Sequence, residues 1–236
     1  MCGRYTLRTP LNVLAEQFLF ELGDLPPDLP FAPRYNIAPT QTVATVRKAG
    51  AAGPRQLALL HWGLIPSWAK DAKLASSTIN ARGETLAEKP AFRTAFVRRR
   101  CLVLADGYFE WQAVGKKKQP LWFRMRDERP FAFAGLWERW RGPAGTPEGT
   151  PPLESCTIVT TSANRLSANI HDRMPVILEP VDYDLWLDPA QNDKERLKAL
   201  LMPFADEAMK AEPVSTRVNS VKHDDPECIV LEKALF

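Results

Sequence analysis

Proline interrupts this chain at 21 of its 236 positions, and no other feature limits its fold as strongly. Each ring fixes φ, removes an amide donor and biases the preceding residue away from helix. Long helices are out of reach, so the chain must be built from short elements joined by ordered loops. Apolar residues make up 45% and charged residues 25%, the balance of an ordinary globular chain. The length fits one large domain or two small ones and needs no disulfide or metal staple to close a core.

Within that limit strands dominate. Residues 3–7 read as a strand. Thr9 then stands as an N-cap with Pro10 at the first helical position. Leu11, Leu14, Ala15, Phe18 and Leu19 recur at helical spacing, up to a stop at Gly23. Residues 24–40 are proline-rich and read as loop. Runs at 42–46 and 56–60 around a glycine-containing turn predict a hairpin. Further strands are predicted at 101–105, 121–125, 131–137, 156–161 and 214–218, and helices at 90–99, 182–187 and 194–201. Residues 75–83 look irregular, and 141–152 form a flexible surface loop. No repeat or linker divides the chain. The pattern is α+β, with a mixed or mainly antiparallel sheet.

The net charge of +3 permits a local basic face without demanding a nucleic-acid partner. The runs Arg98-Arg99-Arg100 and Lys116-Lys117-Lys118 fit a solvated helix end and hairpin turn. Cys2, Cys101, Cys156 and Cys228 form no CxxC pair and no zinc-ligand spacing, so no metal site is expected. The N-terminus lacks an apolar signal region, and no apolar run approaches the roughly 20 residues that span a bilayer. A cytoplasmic protein with reduced thiols is expected. His61 reads as a core residue and His223 as a loop residue. Most of the seven tryptophans should be core, and an exposed one is a candidate for stacking on bases.

Chemistry enters at Met1-Cys2. Trimming of Met1 would leave Cys2 with an α-amine and a thiol on adjacent carbons. That pair condenses with an aldehyde and closes a thiazolidine, and both groups titrate near neutrality when unperturbed. A small buried cysteine explains the dipeptide equally well. Glu110, between Phe109 and Trp111, sits where an apolar setting would raise its pKa and suit it to acid catalysis. Asn80, beside Arg82, and His171, in a loop-like stretch, are polar candidates that a turn or a structural hydrogen bond would also explain.

Taken together, six segments carry more. Met1-Cys2-Gly3-Arg4-Tyr5, Arg34-Tyr35-Asn36-Ile37-Ala38-Pro39-Thr40, Trp62-Gly63-Leu64-Ile65-Pro66, Ile79-Asn80-Ala81-Arg82-Gly83-Glu84-Thr85, Asp106-Gly107-Tyr108-Phe109-Glu110-Trp111 and Ile170-His171-Asp172-Arg173-Met174-Pro175 occur in that order. The chain resembles the SRAP family, the SOS-response-associated peptidase proteins, from residue 1 to about residue 220. The resemblance implies a single barrel-like SRAP domain over 1–236, with a variable tail from 220. It implies binding of single-stranded DNA and a covalent thiazolidine crosslink to abasic sites, which shields the lesion during the DNA damage response. Cys2 would be the nucleophile and Glu110 the general acid/base. His171 would move protons near the sugar, and Asn80 would hold Cys2. Arg4 and Arg82 would hold phosphates, and Trp68 would stack beside the lesion. Removal of Met1, by the protein itself or by an aminopeptidase, and weak AP-lyase activity are also implied. No cofactor is needed, a monomer is the default, and the DNA would be met at the bacterial nucleoid.

Two rivals use the same start differently. Class II glutamine amidotransferases also begin Met-Cys-Gly, but the Asp106–Trp111 and Ile170–Pro175 blocks are foreign to them, and a glutaminase assay separates the readings. A non-catalytic single-strand-binding module would use the arginines and tryptophans without Cys2. A third reading, proteolysis as the main activity, would make Met1 removal more than maturation.

Overall fold

Cys101–Ala105 are fully buried, as their apolar run leads one to expect, and Arg100 just before them is buried too, against its reading as part of a solvated run, because its guanidinium donates to Trp186 O and Phe96 O. Together they form one staff of a closed ring of strands in the computed structural model, which describes residues 2–22, 31–48, 50 and 52–232. Among the described residues the strands are β1 (Tyr5–Leu7), β2 (Phe20–Glu21), β3 (Arg34–Ile37), β4 (Thr42–Lys48), β5 (Arg55–Trp62), β6 (Asn80–Arg82), β7 (Arg100–Ala105), β8 (Gly107–Val114), β9 (Lys117–Met125), β10 (Phe131–Trp140), β11 (Leu153–Ser162), β12 (Arg173–Pro175), β13 (Ile177–Leu178) and β14 (Met209–Pro213). The α-helices are α1 (Leu11–Phe18), α2 (Arg93–Arg98), α3 (Arg165–Ala168), α4 (Tyr183–Leu187) and α5 (Lys194–Lys198).

Strands β5, β4, β7, β10 and β11 pair in that order, all antiparallel. A parallel contact of β11 with β5, Cys156 opposite Trp62, closes the ring. Closure leaves these strands no free edge over the paired length. A second sheet runs β14-β9-β8-β1-β3. Aromatic rings fill the space between the two. Tyr5 meets Trp62 and Phe133 edge-on at 5.3 and 5.8 Å, and Tyr108 stacks on Phe123 at 4.8 Å. The fold is α+β with peripheral helices, as the sequence leads one to expect.

Several local expectations are corrected. Thr9 does not cap α1, and Pro10 occupies the cap position without a side-chain bond. Thr9 instead donates its amide and hydroxyl to Asp106 Oδ2 at 3.0 and 3.1 Å. The helix ends at Leu19 in the left-handed region (φ 52°), and Gly23 lies outside the described residues, as do 24–30 of the proline-rich stretch. Arg34–Ile37 is a strand rather than loop because β1 offers it an open edge. The segment 75–83 begins within a 3-10 turn (Ala72–Ser77) and holds β6, which pairs in parallel with β11. The final strand is Met209–Pro213, set against β9, and a 3-10 turn follows at Thr216–Asn219. His61 is half-buried at the ring's rim rather than in the core. Residues 141–152 carry no helix or strand and are mostly exposed. Within 221–232 the tail packs back on the body, where Asp224 Oδ1 accepts the amide of Asn36 at 2.9 Å.

Candidate active site

β1 lies between β3 and β8, and this pairing brings the N-terminus to Glu110. Tyr5 is opposite Tyr108, and the Phe109 amide donates to Arg4 O at 3.0 Å. The approach requires glycine at 107: a Cβ there would fall 2.1 Å from Trp122 Nε1 and 2.9 Å from Thr6 Oγ1. Asp106 secures the turn out of β1, accepting the Thr6 hydroxyl at 2.6 Å and the Arg8 amide at 2.5 Å. Buried carboxylates are retained where hydrogen bonds compensate their desolvation.

Cys2 is fully buried. Its thiol points at Arg4 O, 3.9 Å away. Burial pushes the thiol well above its usual range, and the nearby Glu110 charge adds to the shift. Asn80, the first residue of β6, donates from Nδ2 to Cys2 O at 2.7 Å. Its Oδ1 is buried without a hydrogen-bond partner among the described residues. The Trp62 indole fixes the preceding turn by donating to Ile79 O at 2.9 Å.

Glu110 is buried. Desolvation raises its carboxyl above the ordinary glutamate range, and His171 pulls it back when its ring is protonated. His171 is half-buried in the loop after α3. That loop is shaped by the Asn164 cap on the Ser167 amide at 3.1 Å and by the His171 amide on Ser167 O at 2.9 Å. His171 Nδ1 has two neighbours, the Arg173 amide at 3.0 Å and Asp172 Oδ1 at 2.8 Å. The first suits a neutral ring, the second a protonated one.

Cys2, Asn80, Glu110 and His171, which are far apart in sequence, thus converge. The three residues expected to hold DNA differ from one another. Arg4 is half-buried, donates Nη1 to Asn36 Oδ1 at 2.7 Å and Val218 O at 2.8 Å, and lies 5.7 Å from the Trp111 ring centre. Arg82 is exposed. Trp68 is 60% exposed and shares a shallow groove with Lys70, Asp71, Lys73, Leu74 and Ser77. A large aromatic left in solvent beside two ammonium groups can stack a base while the cations meet phosphate.

Sequence reasoning did not single out the residues that brace these groups. Asn36 is buried, accepts Arg4 and donates to Ser220 O at 3.0 Å. Glu84 and Arg173 form a two-bonded fork at 2.5 and 2.8 Å, and Arg173 holds the Glu84 carboxyl below the usual glutamate range. The available signal was position: each stands inside one of the six motif segments. Among the described residues no three His, Cys, Asp or Glu side chains cluster as metal ligands, and no helix is long and apolar enough to cross a membrane.

The chain matches the family described as SOS response associated peptidase (SRAP) over residues 1–221. It is 44% identical over 230 residues to the abasic site processing protein YoqW of Bacillus subtilis, covering 97% of this chain and 99% of that one. The abasic site processing protein HMCES of Gallus gallus is 32% identical over 229 residues, covering 85% of this chain and 66% of that one. A crystal structure of a Bacteroides thetaiotaomicron protein superposes with a TM-score of 0.85 at 25% identity, covering 98% of this chain and all of that one.

Proposed function

This chain belongs to the SOS response associated peptidase family, and from that premise we propose that it processes abasic sites in single-stranded DNA by crosslinking to them through Cys2. The observation that carries the reading is the seating of Cys2, held by Asn80 beside the buried Glu110.

The chemistry balances without a redox partner. Hydrolysis of the Met1–Cys2 peptide bond frees the Cys2 amine. That amine adds to the C1′ aldehyde of the opened sugar, and the adduct loses water to give an imine. The thiol then adds across the C=N bond, its proton passing to nitrogen, and the thiazolidine closes. The condensation with the sugar releases one water, and Met1 hydrolysis consumes one. The amine attacks first and sulfur follows, because the ring closes on the imine carbon that the amine creates. Glu110 supplies the proton that opens the sugar ring and expels water, a task suited to a carboxyl raised toward neutrality. His171, within electrostatic reach of Glu110, moves protons at the sugar hydroxyl. Arg4 and Arg82 hold the backbone and Trp68 stacks beside the lesion. Met1 removal by the protein itself and slow β-elimination from the imine are finer parts of the same proposal, and the acting species is a monomer.

The test uses three oligonucleotides of one sequence: intact, abasic, and abasic with the aldehyde reduced to an alcohol. A heat-resistant adduct with the abasic strand alone is expected. An equal yield with the reduced strand would refute the aldehyde chemistry, and glutamine hydrolysis would favour the amidotransferase reading.

A further inference from the structure

We infer that Glu84 is a positioning residue of the proposed crosslinking site, acting through Arg173 on His171; the inference rests on the reading of Cys2, Glu110 and His171 just given.

The geometry begins at β11. Thr160 has Arg82 of β6 opposite it on one side and Pro175 of β12 on the other. β6 carries Asn80, which holds Cys2, and β12 begins at Arg173, two residues after His171. The two halves of the site are therefore separated by one strand. The Arg173 side chain bridges them. Its Nη2 donates to Thr160 O at 2.7 Å and to Glu84 Oε2 at 2.8 Å, while Nη1 donates to Glu84 Oε1 at 2.5 Å. Parallel bonds from a planar fork fix orientation as well as distance.

That anchoring matters because of what the Arg173 main chain does. Its amide donates to His171 Nδ1 at 3.0 Å, which makes Nδ1 an acceptor and leaves the ring proton on Nε2. Asp172 Oδ1 stands 2.8 Å from the same nitrogen and favours a proton there instead. The tautomer of the neutral ring therefore depends on where the Arg173 amide is held, and Glu84 is the carboxylate that holds Arg173. Glu84 is 54% exposed against 14% for Arg173. Glu84→Gln keeps the side chain's size and one oxygen acceptor for the guanidinium, and melting temperatures measured alongside separate a positioning effect from unfolding.

The experiment follows single-turnover adduct formation on an abasic oligonucleotide by wild type, Glu84→Gln, His171→Ala and the double variant, well below their melting temperatures. E84Q is expected to lower the saturating rate about tenfold, a loss in scale with a small misplacement of a catalytic group, with an unchanged half-saturating DNA concentration. In the H171A background E84Q should have no further effect. Imidazole nitrogen shifts should report His171 protonated on Nε2 in wild type and a mixture in E84Q. A wild-type rate in E84Q, an equal loss with and without His171, a change in half-saturation alone, or an unaltered tautomer would each overturn the inference. Failure of wild type itself to form the adduct would refute the underlying function.

Discussion

Asn80→Ala separates stability from chemistry, because the two ends of one amide have opposite surroundings. Nδ2 donates to Cys2 O at 2.7 Å, and Oδ1 is buried with no partner among the described residues. Removing the donor forfeits a hydrogen bond with a net contribution of about 1 kcal/mol. Removing the orphaned acceptor relieves a desolvation cost of about 1–2 kcal/mol. Global stability should therefore change by less than about 1 kcal/mol, which for a chain of this size keeps Tm within about 4 °C of wild type. The lost bond falls wholly on the seating of Cys2, so the crosslinking rate should drop about fivefold, equivalent to about 1 kcal/mol. Asn80→Asp should be slower still, since it sets an anion against the Cys2 carbonyl. The assay is single-turnover adduct formation on a denaturing gel, paired with thermal melting. A wild-type rate in N80A, or a rate loss matched by a large fall in Tm, would refute the reasoning.

Gly107→Ala should destabilise the fold, because the new methyl would lie 2.1 Å from an indole nitrogen. The buried Trp122 ring has the Arg8 and Arg124 guanidiniums 4.6 and 4.4 Å from its centre, and it has little room to yield. Overpacking of this kind costs about 1–3 kcal/mol, read as a drop in the denaturant midpoint, and an unchanged midpoint would contradict the packing argument. Glu110→Gln should alter the pH dependence of stability. The folded protein binds the Glu110 proton more tightly than the unfolded chain does. That contribution is complete below the ordinary glutamate value of 4.5 and is lost as pH rises through the raised value. E110Q should gain stability relative to wild type as pH increases over that interval while its crosslinking slows. A Tm difference independent of pH would count against a proton held by burial.

The strands predicted at 101–105, 121–125, 131–137 and 156–161 were legible because each is a run of apolar and β-branched residues long enough to carry its own signal, whereas β8 (Gly107–Val114) was not singled out. The closed ring was not legible either. Its closing contact pairs Ser155 and Cys156 with His61 and Trp62, a parallel register across nearly a hundred positions that no local pattern encodes. The three residues of β6 were equally hidden, since β11 rather than intrinsic preference makes Asn80–Arg82 a strand. Thr9 obeyed a capping rule in sequence but found a stronger partner in Asp106. At the site, Cys2, Asn80, Glu110 and His171 could each be named as polar residues in unusual settings, and their order in the chain suggested a shared role. Asn36, Glu84 and Arg173 escaped because their importance lies in partners: Asn36 donates to Ser220 O, far along the chain, and Arg173 meets Glu84 across β11.

Intact mass spectrometry of the protein, with and without an abasic oligonucleotide, tests the central claim most directly. Wild type is expected to lack Met1 and, with the oligonucleotide, to gain that strand's mass less one water, in an adduct that survives denaturation. Cys2→Ala is expected to gain nothing. The same adduct in C2A, or in a chain that still carries Met1, would contradict crosslinking through the Cys2 aminothiol.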